Sequence, residues 1–146
     1  MIQGLVQLFP ELSLVFLSFL SLNTKQSKYS QLLAGGVMII FIGAMMKKLA
    51  KRLPMPRDIL KRPKGARDCN QMQKGLCEDE MGMPSIHSML AGFYFAKTKN
   101  AALIAVPLSR LRASDFPVIN HGRYGCHTWL QISFGFTLGF LIGRAI

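Results

Sequence analysis

The feature that most constrains this chain is the separation of its apolar and its basic residues. Ile2–Leu22 contains no Lys or Arg, Gln31–Met46 is uncharged, and Thr128–Ile146 carries one charge, Arg144, near its far end. The cations fall between these runs: Lys47–Lys74 holds ten Lys or Arg in 28 residues, against Asp58 and Asp68. Half of the 146 residues are hydrophobic while the formal net charge is +11. A disordered basic tail lacks the apolar half. A soluble nucleic-acid binder interleaves basic with polar residues, so no nucleic-acid partner is expected. The pattern reads as an all-α integral membrane protein, a reduced helical bundle with basic loops.

Ile2–Leu22 lacks the basic start and small-residue cleavage site of a signal peptide. It is interrupted at Pro10 and Glu11, so a membrane helix is expected mainly from Leu12 onward. Asn23–Ser30 is a polar loop. Gln31–Met46 is a second helix, and residues 1–46 form a transmembrane hairpin. Gly35, Gly36 and Gly43 suit close approach by a neighbour. Gly135, Gly139 and Gly143 mark a packing face on a C-terminal membrane helix over Thr128–Ile146. Ser88–Leu108 is apolar but split by Lys97 and Lys99, and fits either one bent helix or two half-buried ones. Residues 47–146 belong with the hairpin in one structural domain. The positive-inside rule puts the Lys47–Lys74 loop in the cytosol. Cys69, Cys77 and Cys126 leave two states open, one bridge with a free thiol or three thiols.

Two histidines stand where apolar helices begin, beside these cations. His87 follows Met83-Pro84-Ser85-Ile86, and His127 lies in Gly125-Cys126-His127-Thr128-Trp129. Helix N-termini attract oxyanions through free N–H groups and the helix dipole. The bland alternative puts both histidines at the headgroup interface. A zinc site is disfavoured: Cys69 and Cys77 lie eight positions apart, and no HExxH occurs. No metal and no cofactor are expected.

Lys61-Arg62-Pro63, Met83-Pro84-Ser85-Ile86-His87-Ser88 and Gly122-Arg123-Tyr124-Gly125-Cys126-His127 resemble the three ordered motifs of the type 2 phosphatidic acid phosphatase superfamily. These are the lipid phosphate phosphatases and their haloperoxidase-like relatives. The family pattern is Lys-x6-Arg-Pro, Pro-Ser-Gly-His and Ser-Arg-x5-His-x3-Asp. His127-Thr128-Trp129-x-Gln131 is most similar to the dolichyl-diphosphatase branch, where Gln can take the Asp position. The resemblance runs from about Lys47 to Gly143. Met55 stands where the first-motif Lys is expected, leaving Lys61, Arg57 or Lys51 as substitutes. Ile86 replaces the motif Gly, and Asn120-His121 occupy the Ser-Arg positions. Arg123 is taken as the third-motif Arg; Arg110 and Arg112 are its competitors, and Ser109-Arg110 fits only with an insertion.

The resemblance implies a metal-independent membrane phosphatase acting on a lipid phosphate or polyprenyl diphosphate. His127 would form a phosphohistidine and His87 would act as acid and base. Arg62, Arg123, Lys61 and Ser85 would bind phosphate, and Gln131 would orient His127. The alternatives are an inactive membrane protein binding anionic lipid headgroups, and a basic protein that permeabilises bilayers.

Overall fold

The computed structural model describes residues 9–54, 56–64, 66, 69, 79–110 and 125–146. Among them the chain is all-helical and without strands, with an isolated bridge pairing Lys61 and Met81. The elements are α1 (Phe9–Thr24), α2 (Ser27–Ala50), the single turn α3 (Arg57–Leu60), α4 (Ile86–Thr98), a 3-10 turn (Ala101–Ile104), α5 (Ala105–Leu108) and α6 (Trp129–Ala145).

α1 and α2 form the expected hairpin around Lys25, whose φ of 52° makes the reversal. α2 extends the 16-residue apolar run into both flanks and reaches 24 residues, about 36 Å at 1.5 Å per residue. It alone, among the described residues, is long and apolar enough to cross a membrane. Only 22% of its most apolar stretch is buried within the protein. Val37, Phe41, Met45 and Leu49 face outward, as do Val15, Phe16, Phe19 and Leu22 of α1. The span expected over Thr128–Ile146 is the 17-residue α6, about 26 Å long and short of the roughly 30 Å hydrocarbon core.

The apolar segment after Pro84 resolves the open choice: it is two pieces, not one bent helix. Lys99 takes a left-handed conformation (φ 59°) and its N–H caps the Phe95 carbonyl, which ends α4. The 3-10 turn and α5 follow. α4 is the core helix, with Ser88–Tyr94 and Ala96 buried. Its Met89, Leu90, Phe93 and Tyr94 meet Ile39 of α2 and Leu17 of α1.

Glycine sets how close the helices come. A Cβ at Gly139 would collide with the Met89 carbonyl, and one at Gly92 with the Phe136 carbonyl. At Gly135 it would lie 2.8 Å from the Ser85 carbonyl oxygen, and at Gly143 2.9 Å from Ala96 Cβ. The register rises on both helices together, so α4 and α6 are parallel and begin at the same end. On α2, Gly43 meets Ile86 and Gly35 meets Phe93, so α2 runs antiparallel to α4 and ends where α4 begins. Both histidines and the Lys47–Lys51 cations are thereby gathered at one end.

Gly139→Ala is expected to lower stability by about 3 kcal/mol, because main chain, not a flexible side chain, must move. Leu141→Ala, on the exposed face, should stay within about 0.5 kcal/mol. Unfolding in detergent compares the two.

Candidate anion site

Each histidine is placed by a helix start. Ser85 is the N-cap of α4, accepting from the Ser88 N–H at 3.4 Å and the Ser88 hydroxyl at 3.0 Å. His87 is then the second residue of the helix. Thr128 caps α6 in a capping box with Gln131, and His127 immediately precedes it.

Gln131 is buried and its amide orientation is determined by its partners. Nε2 donates to the carbonyls of Ile59 (3.0 Å) and Lys61 (2.6 Å), so Oε1 is the acceptor. Oε1 takes the Thr128 N–H at 3.2 Å and faces His127 Nδ1 at 3.4 Å. An acceptor opposite Nδ1 favours the tautomer with the proton there, leaving the Nε2 lone pair available. Gly82 makes room for this arrangement, since a Cβ there would stand 2.5 Å from Oε1.

Arg62 follows α3 in a short antiparallel pairing. Its N–H donates to the Glu80 carbonyl at 3.0 Å, and Gly82 and Met83 donate to the Leu60 carbonyl. Its buried guanidinium lies 3.2 Å from Glu80 Oε2. Arg110, also buried, ends the turn after α5. Its Nη2 donates to the Cys69 carbonyl at 2.7 Å, and its own carbonyl accepts from the N–H groups of Cys126 and His127. Cys69 and Cys126 are joined by a disulfide, which settles two of the three thiols; Cys77 lies outside the described residues.

His87, His127, Arg62 and Arg110 line a cavity of about 380 Å³ together with Lys47 from the end of α2. Its other wall is apolar, formed by Pro10, Leu14, Ile40 and Ile86, and Glu11 is the one carboxylate at its edge among the described residues. The His127 pKa lies well below the ordinary 6.5. Burial is the main cause, followed by the positive charges of Arg62, Arg110 and Lys47 and by His87. His127 is therefore neutral at pH 7.

Of the residues singled out in the sequence, His127, His87 and Arg62 line this cavity, and Gln131 stands behind His127. Ser85 caps α4 and is not part of the cavity wall. Lys61 lies in an adjoining basin of about 890 Å³ and pairs with Asp79 at 2.6 Å. Lys47 and Arg62 line both cavities. Arg123 and Arg112 lie outside the described residues. Two cations of the cavity wall, Arg110 and Lys47, were not chosen from sequence. Arg110 follows Ser109 in the sequence, with residues 111–124 intervening before His127. Lys47, the first cation after an apolar run, has no motif signal. No three His, Cys, Asp or Glu side chains among the described residues converge to hold a metal ion. Comparison with protein-family models, curated proteins and solved structures finds no match to this chain.

The low His127 pKa has a consequence for stability. Unfolded, His127 takes up a proton near pH 6.5; folded, it does so only well below that. Above 6.5 neither form is protonated. Below it the unfolded chain binds more protons, so stability falls as pH drops, by up to about 1.4 kcal/mol per unit. Denaturant unfolding between pH 8 and pH 5 should show this slope, and His127→Gln should remove that component.

Proposed function

We propose that this protein is an integral membrane phosphatase that hydrolyses a lipid phosphate or polyprenyl diphosphate through a phosphohistidine, in the manner of the type 2 phosphatidic acid phosphatases. The observation that carries the reading is the two-sided cavity. One side holds two histidines, two buried arginines and a lysine; the other is apolar wall from α1, α2 and the start of α4. A phosphoester of a long apolar alcohol has the same two-sided chemistry. The outward-facing apolar residues of α1 and α2 suit hydrocarbon.

In this reading His127 Nε2 attacks phosphorus, and the bond to the lipid oxygen breaks as His87 protonates that oxygen. Water then attacks the phosphohistidine, giving its proton to His87, and the phosphorus–nitrogen bond breaks. Arg62, Arg110 and Lys47 hold the equatorial oxygens, where transition-state charge gathers. Arg110 thus takes the third-motif role that the resemblance gave to Arg123 despite its register. The Gln131 amide holds Nδ1–H but carries no charge, so it stabilises the imidazolium less than a carboxylate would. The competing reading, an inactive binder of anionic headgroups, draws on the same cations and needs neither histidine.

Phosphate release from detergent-solubilised protein separates the two, with phosphatidate, polyprenyl phosphates and polyprenyl diphosphates as substrates. Vanadate should inhibit and chelators should not. His127→Ala should abolish release while the protein stays folded; activity within about tenfold of wild type removes His127 as the nucleophile.

Arg110→Ala should lower turnover by about 10² to 10³, the value of one charge-assisted contact in a water-excluded site. Arg123→Ala is expected to be much milder. A crippled Arg123→Ala beside a near-normal Arg110→Ala would return the third-motif role to Arg123.

A further inference from the structure

Arg110 is held between the two halves of a cystine. Cys69 and Cys126, 57 residues apart in sequence, are bonded, with Cα atoms 5.5 Å apart. The Cys69 carbonyl accepts from Arg110 Nη2 at 2.7 Å. The Cys126 N–H donates to the Arg110 carbonyl at 3.1 Å, and the next N–H, that of His127, donates to the same oxygen at 3.2 Å. The cross-link therefore closes a ring through both the side chain and the main chain of Arg110. Cys69, Cys126, Arg110 and His127 are all at most 6% exposed.

We propose that the Cys69–Cys126 disulfide is a positioning element of the anion site, which sets the Arg110 guanidinium against His127 so that the site is competent only in its oxidised form. The inference rests on reading the cavity as a phosphate site, but it does not depend on turnover. An arginine side chain has several soft torsions, and its fork binds an oxyanion well only when aimed. Here one N–H of the fork is committed to a carbonyl whose own residue is bonded to the neighbour of His127. Reduction by a dithiol breaks the S–S bond, leaves two thiols and converts the reagent to its cyclic disulfide. The Cys69 carbonyl that holds the guanidinium then loses its covalent link to Cys126, and with it the fixed register between Arg110 and His127. A disulfide persists in an oxidising compartment, so the requirement would also confine activity to that side of the membrane.

The test is vanadate affinity of the full chain in detergent, read by calorimetry or by fluorescence of Trp129, the one tryptophan in the chain. It is measured oxidised, after dithiol reduction and after reoxidation, in wild type and in Arg110→Ala. Circular dichroism and melting are recorded alongside. Reduction is expected to weaken vanadate binding by about 10- to 100-fold in wild type, reversibly, with helix content kept. In Arg110→Ala it should change affinity less than about twofold, because the element being positioned is gone. Cys69→Ser/Cys126→Ser should behave as the reduced wild type; should that variant fail to fold, reversible reduction of the folded protein carries the comparison. Equal weakening in wild type and Arg110→Ala, an effect below twofold in both, or outright unfolding on reduction would each overturn the positioning role and leave the phosphatase reading intact. Oxidised protein that binds no vanadate overturns both. Redox-sensitive binding without phosphate release from any substrate supports the positioning role and overturns the enzyme.

Discussion

The backbone contact between α4 and α6 is the constraint on which the rest of this structure depends. Without Cβ atoms at Gly92, Gly135 and Gly139, helix main chain lies against helix main chain. That approach makes the two helices parallel and aligns their first turns. His87 and His127, 40 positions apart in sequence, then share one cavity because each is tied to a helix start. The capping groups Ser85 and Thr128 are part of the same device, since a frayed first turn would release the histidine beside it. Small-residue packing is a general means of joining helices in lipid, where apolar burial gives little drive. Here it also determines where the polar chemistry sits.

Gathering cations at one end carries an electrostatic cost. Two unit charges 4 Å apart repel by about 4 kcal/mol at an effective dielectric of 20. Glu80, 3.2 Å from the Arg62 guanidinium, offsets part of this repulsion. The neutral state of His127 offsets another part, since burial and its cationic neighbours both disfavour its proton. In the proposed function an incoming dianion would relieve what remains. The same field that lowers the His127 pKa would therefore attract a phosphate and hold it beside an unprotonated ring nitrogen. Gln131 adds direction without charge, and Gly82 is the small residue that lets the 80–83 segment pack over it.

Legibility in the sequence followed physical scale. The hairpin, the glycine faces and the two histidine-bearing helix starts all appear as local periodicity or local capping signals, and the structure has them. α4 was harder to read: it is only 13 residues long, and its burial comes from packing against α1, α2, α6 and the 3-10 turn. In the site, His87, His127, Arg62 and Gln131 could be picked out because motif residues lie close together in the chain. Arg110 and Lys47 could not be placed this way. Arg110 reaches His127 across residues 111–124, and Lys47 arrives from a helix that has no motif. Lys61 matched the motif by adjacency to Arg62, yet neighbours in an extended segment point to opposite sides, and its ammonium pairs with Asp79.

The positive-inside rule counts Lys and Arg near membrane helix ends as free reporters of topology. In this protein several of those cations are committed. Lys47 and Arg62 line the cavity, Arg62 is buried against Glu80, and Lys61 is bound to Asp79. In the proposed membrane reading, their number at this end serves the cavity as well as the topology. The Cys69–Cys126 disulfide is a reporter with a different physical basis, because it responds to redox poise and not to charge. In the proposed membrane reading, a disulfide at the cavity end marks the oxidising side, opposite to what the cation count alone implies. Where a basic loop also builds a binding site, the cystine is the better guide, since the cations have a second reason to be present.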